Sequence, residues 1–545
     1  MTDRSRFGIG RRVSDVVSVD ERVQALEQQL SALTGEFAKV VEERDEYRKL
    51  ILHLKEENER LRRGLLGQKA ERLPRNDSQL SLALMTLAMS GPGEAPAAEL
   101  AIEQQLIGTH VRRKPVRKPL PADIPRVPIE ILPPEVEREG TDAFERIGVE
   151  TREVLERRPA STVVVALSYP KFVRKDRDRK LPSEILVGET VELPIARGLA
   201  GPSFLADTIV RRWQDHQPLF RLEGIYAREG LELARSTLCG WHAELAELAQ
   251  PVVDAMFEDA LRAPYLCVDA TGVLVQAKER CRYGHFWVAV APDKHVLFKY
   301  SRRHDSAAVD ELLPDYKGYL VADAHNVYDH LYKQGSVIEV GCWAHCRRYF
   351  FKAMPADPAR ARVALAHIGT LFAVERLLIG SPRKKRRLTR LERSKPAVDA
   401  FFAWCDQEAD RVLDESPIAD GIRYARNQRV ALQRFLDDPD LPIHNNISEL
   451  NLRREVVGRK NWLFVGSDDG AEVNTTFVSL LASCRMHELE PLAYMRDLFC
   501  LLPRWPSNRV LELAPANWQE TVQRQEVQQA LEANVFRRVV LSART

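Results

Sequence analysis

Apolar residues recur in alternating steps of three and four along the first part of the chain: Val23, Leu26, Leu30, Leu33, Phe37, Val40, Tyr47, Ile51, Leu54, Leu61 and Leu65, with only Arg44 and Asn58 breaking the series. This seam predicts a coiled coil within residues 1–73, and Asn58 at an a position fixes its register and favours a parallel dimer. The alternative is a long amphipathic helix packed on its own chain. The period is lost over residues 74–130, where PRNDSQ and SGPGEAPAAE read as linker. A proline-rich run there carries Arg112, Arg113, Lys114, Arg117 and Lys118, which suits either a basic arm tracking phosphates or a solvated linker. Residues 131–198 predict a small β-rich module of short strands with a charged turn at Lys175 to Lys180. Residues 199–255 turn helical: one helix from Pro218 to about Arg228, a tight turn at Gly230, and a second helix from near Ala234 with Ser236 and Thr237 in its first turn. That pair is either a helix-turn-helix-like DNA-binding region or plain helix packing. From Ala263 the pattern reads three strands, a helix, a strand, a helix and a strand, the order of an α/β ribonuclease H-like core.

Composition narrows the class. With 45% hydrophobic and 29% charged residues over 545 positions, the chain reads as a soluble protein of three or four domains. No apolar run is long enough for a membrane span, and the first residues lack the apolar core of a signal peptide. Eight scattered cysteines fit a reducing compartment, so a cytoplasmic, nucleoid-associated protein is expected. The formal charge of +2 hides three basic segments: +5 over residues 111–126, +4 over 171–180 and +7 over 381–395, leaving −14 elsewhere. Localised, salt-sensitive DNA contact follows from that segregation. The run Arg383 to Arg387 within the third segment either grips DNA or is a solvated loop.

Two carboxylates carry the chemistry. Asp269 lies within the first core strand and Asp323 at the end of the fourth, and both are embedded in apolar sequence, where a carboxylate is costly unless paired or bound to a cation. In the predicted order these strands are neighbours, so the pair can share a hard divalent ion such as magnesium. Downstream, Asn446 or Ser448 opens a helix whose Glu449 can complete a three-carboxylate cup. Arg453, Arg454, Arg459 and Lys460 on that helix are expected to face phosphates. Cys342 and His345 form a C-x-x-H with Cys346 beside it; fewer than four ligands favours a structural role over a zinc site.

The run Asn445, Glu449, Arg453, then Gly458-Arg459-Lys460-Asn461-Trp462-Leu463-Phe464 and Gly466-Ser467, resembles the transposases of the bacterial insertion sequence 66 family. So do Cys342-Trp343-Ala344-His345, Pro218-Leu219-Phe220-Arg221, Pro491-Leu492-Ala493-Tyr494 and the leading coiled coil, so the likeness covers nearly the whole chain. The resemblance implies that Asp269, Asp323 and Glu449 are a D-D-E triad, at once catalytic and metal-binding. It also implies two magnesium ions per active site, with manganese as a substitute, and in-line strand cleavage and strand transfer. Double-stranded DNA is then the partner, as element ends and target, contacted by the arm, Ser236, Thr237, Arg453, Arg459, Lys460 and Asn461. A homodimer through the coiled coil and accessory proteins encoded by the same element are the further partners expected. The gap from Asp323 to Glu449 implies a core in two parts, 256–354 and 441–505, around a helical insertion at 355–440, with 506–545 as a tail. Two departures stand out. Relatives carry two cysteine pairs in the module at 131–198, whereas this chain has no cysteine before Cys239, so no zinc is expected there. Relatives also follow the first aspartate with Glu-Thr, where this chain has Ala270-Thr271. These departures leave a catalytically weakened, transposase-derived DNA-binding protein as the alternative function.

Overall fold

The computed structural model describes residues 120–542, apart from 123, 159–160, 176–183 and 279, together with the isolated Gly35 and Val41. The heptad seam and the cluster Arg112, Arg113, Lys114, Arg117 and Lys118 lie outside the described residues. The chain divides into two compact units.

In the first unit, residues 346–381 and 389–427 are built of helices, chiefly Pro358–Leu377, Lys395–Glu408 and Pro417–Asn427. Phe350 makes edge contacts with Phe401 and Trp404 at its centre. A Cβ at Gly421 would meet the Phe350 ring at 3.0 Å, so a larger residue there would displace that ring. Arg390 is buried and makes two parallel hydrogen bonds to Glu375, at 2.8 and 2.7 Å, which give a buried guanidinium the partner it requires.

The second unit holds two sheets. The first comprises β1 (Arg126–Glu130), β2 (Phe144–Arg158), β3 (Ser161–Arg174) and β4 (Leu186–Val187). The short strands expected here are instead one long hairpin, because the β-branched run after Ser161 keeps its register opposite β2 from end to end with a single irregularity near Gly148. Val154, Val163, Val165 and Leu167 form its core. Val535, Phe536 and Val539 from the C-terminal helix Val535–Leu541 pack into that core, so the stretch expected as a tail closes the module.

Helix α1 (Pro202–Ile209) begins on a buried carboxylate. Glu156 Oε1 accepts from Phe204 N at 2.8 Å and Arg157 N at 2.9 Å, satisfying one of the helix's open N–H groups. Burial still dominates, pushing the Glu156 carboxyl up from 4.5 to about 8. A Cβ on Gly201 would collide with Glu156 Oε2, so a larger residue there would displace that carboxylate.

Helix α2 (Leu219–Arg228), a turn with Gly230 at φ 83°, and helix α3 (Arg235–Ala260) follow. At 26 residues α3 is mainly a core helix: Leu238, Trp241, Leu245, Ala249, Val252 and Met256 are buried along it. At its start Ser236 is exposed and Thr237 half-buried.

The second sheet comprises β5 (Tyr265–Val275), β6 (Arg282–Ala291), β7 (His295–Ser301), β8 (Gly318–Val321) and β9 (Val337–Val340), in the spatial order β7-β6-β5-β8-β9. The first three pair antiparallel, whereas β8 runs parallel to both β5 and β9. Helix α4 (Trp343–Ala353) follows β9; α5 (Asn446–Trp462) packs on β5 and β6, and α6 (Asp468–Met486) on β7. The outer edge of β7 is covered by serines: Phe298 N donates to Ser479 Oγ at 2.8 Å and Val296 N to Ser483 Oγ at 3.0 Å. An edge that would otherwise invite another strand is thus closed by a helix.

Between about pH 4.5 and pH 8 the unfolded chain has lost the Glu156 proton that the folded chain keeps, so stability falls as pH rises through this window. Glu156→Gln should flatten that slope and raise stability at pH 8 by a few kcal/mol relative to the parent, read from chemical unfolding at several pH values.

Candidate active site

The paired residues Cys267 and Val321 fix the level of the two aspartates. Asp269 lies two residues beyond Cys267, and Asp323 lies two beyond Val321, just past the end of β8. Side chains alternate along a strand, so Asp269 shares the face of Cys267 on β5, and Asp323 follows β8 at the same offset from the paired position. Both are half-buried. Behind them lies the buried phenol of Tyr328, whose pKa is driven well above its ordinary value by burial and then by the charges of Asp323 and Asp269. The same phenol feels both carboxylates. On the Asp323 side, His304 stacks on Trp287 with centroids 4.9 Å apart, and burial lowers its pKa, further lowered by His325 and opposed by Asp323.

Glu449 arrives from the other direction, one turn into α5. The start of that helix is fixed by Asn445, which is fully buried. Its Nδ2 donates to the carbonyl of Val268, the residue before Asp269, at 2.7 Å; its Oδ1 accepts from Ser448 Oγ at 2.8 Å; its backbone N donates to Cys342 Sγ at 3.2 Å. The Cys342 motif is equally constrained. Gly341 N donates to Ala431 O and Trp343 N to Ile443 O, both at 2.9 Å, and a Cβ on Gly341 would collide with the backbone of Leu432. Cys342 therefore acts as a buried hydrogen-bond acceptor. His345, one turn further, places Nε2 3.3 Å from Glu449 Oε1. This contact, invisible as spacing in the sequence, gives the C-x-x-H its link to the carboxylates.

The arrangement differs from the expected cup. Asp269 and Asp323 both lie near the phenol of Tyr328, Glu449 is turned to His345, and among the described residues no three His, Cys, Asp or Glu side chains are set close enough to hold a metal ion. The two aspartates still supply hard oxygen donors of the kind that magnesium takes alongside water and phosphate.

The basic residues of α5 also divide. Arg453 and Lys460 are exposed, as expected for groups that meet phosphate. Arg454 is buried and donates to Gln214 Oε1 at 2.7 Å. Arg459 donates to Thr271 Oγ1 at 3.0 Å and to Gly272 O, so its guanidinium stitches the far end of α5 to β5, the strand that carries Asp269. Asn461 is half-buried and donates back to Val457 O at 3.2 Å. Sequence reasoning missed Glu455, whose carboxyl is fully buried, accepts from Asn474 Nδ2 at 3.0 Å and is pushed up to about 7 by burial. In the basic run, Arg383 pairs with Asp438 and Asp440, while Lys384, Lys385 and Arg387 are exposed.

Asn445→Ala removes both side-chain bonds that seat α5 and should lower stability by about 2–4 kcal/mol. Arg453→Ala on the open face of the same helix should change it by less than about 0.5 kcal/mol. Thermal unfolding of the two variants beside the parent checks the contrast.

Residues 197–473 match the family described as Transposase IS66 family. Residues 479–516 match the IS66 C-terminal element, and residues 53–129 match a family described as Transposase C of IS166 homeodomain. Similar proteins occur in Sinorhizobium fredii. Its uncharacterized protein y4hP is 28% identical over 496 residues, covering 86% of this chain and 89% of its own. Protein y4qI is 26% identical over 528 residues, covering 92% and 96%.

Proposed function

The chain belongs to the IS66 family of transposases, and on that premise we propose that it cleaves and joins DNA strands at the carboxylate centre of Asp269, Asp323 and Glu449. The observation that carries the reading is the level shared by Asp269 on β5 and Asp323 just past the end of the adjacent parallel β8, beside the Glu449-bearing helix whose Asn445 is bonded to β5. The strand order β7-β6-β5-β8-β9, antiparallel and then parallel, supports a ribonuclease H-like core.

Asp269 and Asp323 would hold magnesium, with Glu449 joining them on leaving His345. Bound there, the ion would polarise the scissile phosphate and lower the pKa of the attacking water or 3′ hydroxyl. The remaining work falls to the chain. Asn445 and Arg459 fix α5 over β5, so that Glu449 is presented from a rigid element. Arg453 and Lys460, exposed along the same helix, would take the flanking phosphates and hold the backbone in line. Tyr328, buried behind the aspartates and strongly disfavoured as phenolate, keeps the floor of the site neutral. The basic arm and the start of α3 would bind the duplex away from the cut.

No helix among the described residues is long and apolar enough to cross a membrane, which fits a chain that works on DNA. Asp269→Ala should abolish magnesium-dependent nicking of a terminal inverted-repeat duplex, at least about a thousandfold, while binding of that duplex changes little. Persistent nicking by this variant would sink the assignment. Binding without any nicking by the parent would instead favour a transposase-derived DNA-binding protein.

A further inference from the structure

Helix α5 ends in a strained turn. Leu463 has φ 66° and ψ −48°, a conformation that a leucine side chain disfavours. It is the centre of a three-residue γ-turn closed by Phe464 N donating to Trp462 O at 2.8 Å, a rare and strained form. Burial does not compensate, since Leu463 is 67% exposed and Phe464 42% exposed. The turn is enforced by its flanks. Trp462 packs inward against the core of Val273, Val275, Phe286 and Val465, over Gly458, where a Cβ would come within 2.8 Å of the indole Nε1. On the other side Val465 is clamped to β5: its N donates to Leu274 O and its O accepts from Gln276 N, both at 2.8 Å. The fold therefore holds two large apolar side chains in water at a conformational cost, the kind of strain that concentrates at functional sites.

The surroundings identify the partner. Leu274 and Tyr283 face each other across β5 and β6 and are also exposed, and the hairpin beyond them presents Lys278 and Arg280 to solvent. The outward stripe of α5 that leads to the turn carries Arg453 and Lys460. Cations on two sides of a projecting apolar tip fit a polyanion with a stacked apolar interior, which is DNA. We propose that Leu463 and Phe464 form a wedge that unstacks duplex DNA at a fixed distance from the carboxylates. Five residues of strand separate Asp269 from Leu274, about 17 Å, and fourteen helical residues separate Glu449 from Leu463, about 21 Å. At 3.4 Å per step the opened position lies about five or six base pairs from the scissile phosphate.

The wedge rests on the transposase reading and is tested so that the two can fail separately. Terminal inverted-repeat duplexes carry 2-aminopurine at single positions about three to eight base pairs from the cut, and are mixed with the full chain or its Leu463→Gly/Phe464→Ser variant. Glycine relieves the strain at position 463, so the variant should melt no lower than the parent. The parent should raise 2-aminopurine fluorescence at least twofold near the fifth or sixth position; the variant should give no rise while binding within about threefold of the parent. The variant should also nick the intact duplex at least tenfold more slowly, and match the parent on a duplex left unpaired at that step. Equal fluorescence from parent and variant, or parent binding without any rise, overturns the wedge alone. Failure of the parent to bind the repeat overturns the functional reading and the wedge with it.

Discussion

The seating of the Glu449-bearing helix on the second sheet depends on one buried amide. Asn445 offers a side-chain donor, a side-chain acceptor and a backbone donor, and the fold takes all three up, on Val268, Ser448 and Cys342. A buried polar group left unpaired costs more than a made hydrogen bond returns, so such a group tolerates little displacement. The start of α5 is therefore referenced to the carbonyl beside Asp269, and Glu449 inherits that reference one turn later. Arg459 repeats the logic at the other end of the helix by bonding Thr271 and Gly272. Two polar stitches, fourteen residues apart on the helix and three or four apart on the strand, hold α5 along β5. An apolar contact alone would leave the helix free to slide.

This polar attachment also explains what the sequence could and could not say. The second sheet was legible because its strands are β-rich runs broken by turn residues, and their order brings β5 and β8 together with Asp269 and Asp323 level. Helix α5 was legible as a helix, yet its faces were not. Its buried side includes Arg454 and Glu455, whereas Leu450 and Val457 are exposed at 53% and 45%. Hydrophobic periodicity assumes that apolar residues turn inward. Where a helix is seated by hydrogen bonds and buried ion partners, that assumption inverts, and four basic residues that look alike in sequence separate into two that face solvent and two that tie the fold. Local rules are expected to fail at functional sites, and the inversion falls on the helix that bears Glu449.

The first sheet shows a different failure. Its hairpin was read as short strands because a charged segment follows Ser161–Arg174 and nothing in the pattern says how far β2 extends. The pairing itself supplies that information, since each strand is long only because the other is. Likewise, Val535, Phe536 and Val539 of the helix Val535–Leu541 pack on Val154, Val163 and Val165, hundreds of residues upstream. Long-range closure of this kind carries no local signal.

The pairing of Glu449 with His345 bears on how the proposed chemistry is staged. The contact is 3.3 Å long with side chains 15% and 30% exposed, a partly solvated pair. Such pairs contribute on the order of 0–1 kcal/mol. A divalent ion on two aspartates offers a third carboxylate far more than that, so releasing Glu449 from His345 is a small obstacle once the ion is present. Before then, the imidazole gives the carboxylate a partner within 3.3 Å. In the proposed site His345 and the metal would compete for the same side chain, on a helix that Asn445 and Arg459 fix at both ends. Assembly of the proposed site would then call on the Glu449 side chain rather than on a rearrangement of the fold.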